Sequence, residues 1–224
     1  MDNKIIDPID QIENVRNAFK EFKTALEDDK IDADVPQTLY FFNSKTEAPL
    51  AFINMPPFKS EEKRDVFHLA FGSLKYIQTD RMVMTSDVWF NKFLDDKEMD
   101  EWYEEGKSLS EHPKSEQALM TSIYTKDGDI YSVIDVYGLD DEGNFYFKKD
   151  QDYKHEDWKN SHGLIPHIVS KAYTNLYDEN YVTNSKNANQ YFGMISSMGF
   201  DINMSDMLFH SLGLEDAELT DEWF

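Results

Sequence analysis

The sequence predicts an α+β protein, a mainly antiparallel sheet of about five or six strands with helices packed on one face and an α-helical C-terminal part. Three observations lead there. Short runs rich in β-branched and aromatic residues, separated by turn residues, recur between residues 38 and 147. Two stretches with apolar residues at helical spacing interleave with the first of them. Beyond residue 163 the apolar residues fall at helical spacing again. A chain of 224 residues, 40% hydrophobic and 14% aromatic, is long enough to bury a core without covalent staples. The expected organisation is one compact domain: a sheet-bearing body over residues 1–150 and an α-helical extension over 151–224 packed on it.

The first element is a helix opened by Pro8, which suits a first helical turn; Ile9, Ile12, Arg16, Phe19, Phe22 and Leu26 lie close to one stripe, with Val15 beside it. It should fray at Glu27-Asp28-Asp29, because carboxylates are unfavourable at a helix C-terminus. Thr38 to Asn43 and Leu50 to Met55 read as a hairpin across Ser44-Lys45-Thr46-Glu47, stopped by Pro56-Pro57. A second helix opens with Ser60 as N-cap, buries Phe67, Ala70, Phe71, Leu74 and Ile77, and turns Glu61, Arg64, Asp65, His68 and Lys75 to water. Met82 to Phe90 is a strand. Leu94 to Glu111 is a charged excursion whose Trp102 and Tyr103 suggest a short docked helix. Gln117 to Thr125, Asp129 to Tyr137 and Asn144 to Phe147 form a three-stranded meander over the turns Lys126-Asp127-Gly128-Asp129 and Leu139-Asp140-Asp141-Glu142-Gly143. Lys148 to His162 is polar and loop-like. Ile165 to Tyr177 and Ala188 to Met198 read as helices, the second closed by Gly199, and Asn203 to Leu212 as a last helix closed by Gly213.

Charge is the least ordinary property. The chain has 44 acidic and 22 basic residues, a net charge of −22. The surplus is uneven: 16 acidic against 12 basic residues over 1–93, 19 against 8 over 94–162, and 9 against 2 over 163–224. Such a field repels phosphate backbones and anionic membrane surfaces, which argues against direct nucleic-acid or membrane binding and favours basic protein surfaces. Only three arginines occur, so bidentate recognition of phosphate has few forks to use. The absence of cysteine removes disulfides, thiolate metal sites and a thiol nucleophile. With no signal-like N-terminus and no apolar run of membrane-spanning length, the sequence points to the cytoplasm.

No segment carries a catalytic, metal or cofactor signature. Neither Asp127-Gly128-Asp129 nor Asp140-Asp141-Glu142-Gly143-Asn144 places oxygens at the spacing of a calcium loop. Nucleophile-elbow and glycine-rich phosphate motifs are missing. His155, His162 and His167, with Asp157 between the first two, form the single histidine cluster that a metal could use. Pro166 and the five-residue interval of the last pair break one-turn helical spacing. No cofactor is expected. The methionine-rich C-terminal helices read mainly as core, with any remainder available for a homodimer contact.

The run Asp80-Arg81-Met82-Val83-Met84-Thr85-Ser86-Asp87-Val88-Trp89, followed by a charged loop and His112-Pro113-Lys114-Ser115-Glu116-Gln117-Ala118-Leu119, resembles uncharacterised phage and environmental bacterial proteins. That resemblance covers about the middle third of the chain and implies a phage or bacterial origin, and no activity. The expectation is a non-enzymatic acidic accessory protein that binds a basic protein partner. The alternative is a hydrolase with a carboxylate and histidine site, metal-dependent if the 155–167 cluster ligates.

Overall fold

The computed structural model describes residues 5–28, 35–59, 62–77, 79–90, 102, 104–126, 129–142, 145–148 and 187–214. Within them, β-branched and aromatic runs become strands: β1 (Thr38–Phe42), β2 (Ala51–Asn54), β3 (Arg81–Phe90), β4 (Glu116–Thr125), β5 (Ile130–Leu139), β6 (Phe145–Phe147) and β7 (Asp201–Met204). They form one antiparallel sheet in the order β6-β5-β4-β3-β1-β2-β7. The α+β architecture matches the expectation, with seven strands in place of five or six.

The extra strand is β7. Asp201-Ile202-Asn203-Met204 alternates exposed and half-buried residues, which is strand periodicity, and it pairs with β2 from Ala51↔Met204 to Asn54↔Asp201. The last helix therefore starts at Asp206 and not at Asn203, with the Ser205 hydroxyl accepting from the Leu208 amide at 3.4 Å as its cap.

The helices are α1 (Pro8–Asp28), α2 (Lys63–Gly72), α3 (Leu74–Ile77), α4 (Ala188–Ser197) and α5 (Asp206–Ser211). Asp7 caps the amide of Ile9 at the start of α1 (2.9 Å), just where Pro8 supplies no donor. The single second helix expected from the sequence is broken at Ser73, whose hydroxyl bonds back to the Ala70 carbonyl at 2.5 Å; α3 continues as a separate turn. The Ser60 cap lies outside the described residues. So do residues 94–101 and 103 of the charged excursion, the loop after Lys148, the helix expected at Ile165 to Tyr177, and the acidic tail.

Alternate residues of each strand face opposite layers. On one face Leu39, Phe41, Ile53, Met82, Met84 and Tyr124 meet Phe67, Phe71 and Leu74 from α2 and α3 and Tyr191, Phe192 and Ile195 from α4. This is the main core, and each fully buried side chain of that size contributes about 1.5–3 kcal/mol. On the other face Phe42, Val83, Ile123 and Val133 meet Ile9, Ile12 and Val15, while Leu119, Tyr137 and Phe145 meet Phe19. The larger helical layer lies on one face, but the described helices are not confined to it as the sequence suggests: α1 covers part of the second face. Among the described residues no helix is long and apolar enough to cross a membrane.

Candidate functional site

His155, Asp157, His162 and His167 all lie outside the described residues. Of the other histidines, His68 is half-buried on α2, and His112 accepts from the Lys114 amide (3.2 Å) with its ring edge-on to Trp102 at 4.6 Å. Trp102 in turn donates to the Ser108 carbonyl at 2.9 Å. Among the described residues no group of three or more His, Cys, Asp or Glu side chains is placed to hold a metal ion.

The carboxylates that the fold buries are bound to its own donors. Asp87 on β3 and Asp135 on β5 flank Leu119 of β4 in one row across the sheet, beneath α1. Arg16 reaches down from the apolar stripe of α1 to Asp135 Oδ1 at 2.6 Å, one turn after Ile12. Two turns further, Lys23 lies 3.2 Å from Asp87 Oδ2, and the Tyr137 hydroxyl donates to Asp87 Oδ1 at 2.6 Å. Burial pushes the Asp135 carboxyl above the usual carboxylate range, and the Arg16 charge and hydrogen bond only partly oppose it. Its second oxygen has no described bonding partner. Phe22, expected on the buried stripe, is 47% exposed, because Lys23 takes the place over Asp87 and Tyr137. At the far end of the sheet Arg81 is buried and donates to the Ile6 carbonyl (2.6 Å) and Gln11 Oε1 (2.9 Å); Asp80 accepts from the Ser44 amide and hydroxyl, each at 2.6 Å. These groups lock the N-terminal segment to the β1–β2 hairpin. Their geometry is that of fasteners.

The face beside α1 is arranged differently. The helix lies over β3, β4 and β6, and its first turns cover Phe42 of β1; beyond the half-buried Tyr40, β2 and β7 have no covering helix among the described residues. The outward side chains there are Thr38 and Tyr40 from β1, Phe52 and Asn54 from β2, and Asp201 and Asn203 from β7, by the strand register. They divide into two parts. Thr38 Oγ1 donates to Asn54 Oδ1 (2.8 Å), Asn54 Nδ2 donates to Asp201 Oδ2 (2.9 Å), and Asn203 Nδ2 donates to the same oxygen (3.2 Å). Asp201 is exposed, and no described cation pairs with it. Nearer α1, the rings of Tyr40 and Phe52 lie 5.9 Å apart. There an open cleft of about 310 Å³ has Tyr40 and Phe42 as its floor, Asn14, Val15 and Ala18 of α1 as one wall, and Glu47 and Pro49 at its rim. Burial raises the Tyr40 hydroxyl above its ordinary pKa, opposed by hydrogen bonds with Thr85 and Thr38, so the hydroxyl stays neutral and available as a donor.

This assembly joins residues that are 147 positions apart, Asn54 and Asp201, and no local motif marks it. The one trace of it in the sequence is the polar-apolar alternation of residues 201–204, which has strand periodicity but covers only four residues. On the opposite side, the methionine-rich stretch divides. Phe192, Ile195 and Leu208 are core, as expected, whereas Met194, Met198 and Met207 are 38%, 51% and 73% exposed. No family model matches the chain, and neither a curated protein nor a solved structure is similar to it.

Proposed function

We propose that this chain is a non-enzymatic binding protein that engages a basic protein surface. One observation carries the reading. Asp201 is a solvent-facing carboxylate held in place by two amide donors, with no described cation beside it. An oriented, unneutralised carboxylate beside a half-exposed aromatic pair is an arrangement that an incoming lysine or arginine completes. The charge distribution supports the same reading: residues 187–224 hold seven acidic residues and no lysine or arginine. Arg16 and Arg81 are committed to acceptors within the fold, which supports a protein rather than a phosphate-bearing partner.

In this proposal the chain is a phage or bacterial accessory protein acting in the cytoplasm, and its acidity steers association. The test is affinity capture from bacterial lysate with the tagged chain, followed by rebinding of the purified captured protein. The expected result is a basic partner retained at low ionic strength and released near 1 M salt, where the screening length falls to about 3 Å. Recovery of only acidic or salt-insensitive partners would overturn it.

A further inference from the structure

We infer that the part of the sheet face left open beside α1 is a groove that seats one basic amphipathic helix of the partner; this rests on the basic-partner reading above. The groove has the dimensions of a helix. Strands β1, β2 and β7 are neighbours, so their axes span about 10 Å, close to the 10–12 Å diameter of a helix with its side chains. A helix laid there would run beside α1 at the usual interaxial distance of roughly 8–10 Å. The surface offered is a sheet face and not an edge, and a sheet face is covered by helices.

The lining fits an amphipathic occupant. Asn14, Ala18 and Phe22 follow one another at one-turn spacing along the flank of α1, and the first two line the cleft. Ala18 leaves room for an approaching side chain, and Phe22 extends the apolar wall. Tyr40 and Phe52 supply an aromatic floor on which an apolar or cationic stem can lie. The two ends are acidic: Glu47 at the rim of the cleft, and Asp201 across the sheet. An occupant therefore needs an apolar stripe flanked by lysine or arginine. A second copy of this chain, carrying the same net charge of −22, would bring carboxylates against carboxylates.

The experiment titrates the full chain with a fluorescein-labelled Leu/Lys amphipathic helical peptide, read by anisotropy, with a Leu/Glu peptide of equal length as control. Ala18→Arg fills the wall of the groove, and Asp201→Lys reverses its polar end. Asn189→Arg adds a positive charge on the exposed side of α4, across the sheet from the groove, and controls for bulk electrostatics. All three positions are exposed, and circular dichroism establishes that each variant folds. The expected result is salt-sensitive binding of the Leu/Lys peptide alone, weakened about tenfold or more by Ala18→Arg and by Asp201→Lys and less than about twofold by Asn189→Arg. Equal weakening by all three variants, or by none, would overturn the groove and leave the basic-partner reading standing. A chain that binds neither the Leu/Lys peptide nor polylysine at low salt overturns both.

Discussion

Replacing Arg16 by methionine should destabilise the fold by several kcal/mol at neutral pH, and the loss should shrink on acidification. Methionine keeps most of the stem that lies in the α1 stripe and removes the guanidinium. That leaves the Asp135 carboxylate, 7% exposed, with no counter-charge at 2.6 Å. Two unit charges about 4 Å apart interact by about 4 kcal/mol at an effective dielectric constant near 20. Breaking one side of a buried pair typically costs about 3–5 kcal/mol. Both figures apply with a modest discount, since the Arg16 side chain is 24% exposed. The sign with pH follows from Asp135. Its folded-state pKa is already above the unfolded value, so its contribution is fully present below the unfolded pKa and is lost as the pH rises through the folded one. Removing Arg16 raises the folded value further, which widens that window upward. The deficit of Arg16→Met is then largest at neutral pH and above, and it shrinks as the pH falls through the raised folded-state value and Asp135 takes up its proton. Urea unfolding at several pH values measures it, and Arg16→Met/Asp135→Leu should recover most of the loss, because a packed apolar pair replaces an uncompensated charge. A loss under about 1 kcal/mol at pH 7, or one that does not shrink on acidification, would refute the reasoning.

Three further outcomes are expected. Tyr137→Phe removes the 2.6 Å bond to Asp87 and should cost about 1.5–3 kcal/mol in chemical denaturation, as for other hydrogen bonds to charged groups. Asn187→Ala removes the N-cap of α4, whose side chain accepts from the Gln190 amide at 2.8 Å; a loss of about 1 kcal/mol should appear, and Asn187→Asp should be neutral or stabilising. Gly72→Ala places a methyl on the Tyr191 hydroxyl and within 2.8 Å of its Cζ, so the ring must shift. A loss of about 1–3 kcal/mol is expected, partly restored by Tyr191→Phe in the same chain, with thermal unfolding as the measurement.

Much of the fold was legible because its local signals agree with its tertiary ones. The hairpin β1–β2, the meander β4–β6 and the helices α1, α2 and α4 all follow from periodicity and turn residues. Where the sequence misled, a tertiary partner decided. The periodicity of α1 predicts a stripe that continues through Phe22, but Lys23 turns inward because Asp87 and Tyr137 lie below it. Arg16, the charged member of that stripe, faces inward because Asp135 is buried opposite. Residues 201–204 are too few to announce a strand, and their pairing with β2 supplies what local propensity does not. The open groove was illegible for the same reason. Its floor comes from two strands of the hairpin, its wall from α1 and its polar end from β7, and only the strand register brings Asn54 to Asp201.

The late arrival of β7 has a consequence for how the chain is made. The hairpin strand β2 is complete at residue 54, yet its outer partner is encoded 147 residues later. At about 5–20 residues per second, a ribosome needs roughly 7–30 s to cross that interval. Throughout it, the amides and carbonyls along one side of Ala51–Asn54 await their native partner, and an unpaired edge is an invitation to other strands. Chains that stop short of residue 204 should therefore aggregate through that edge, so a strand encoded so late is also the one that makes the nascent protein safe to release.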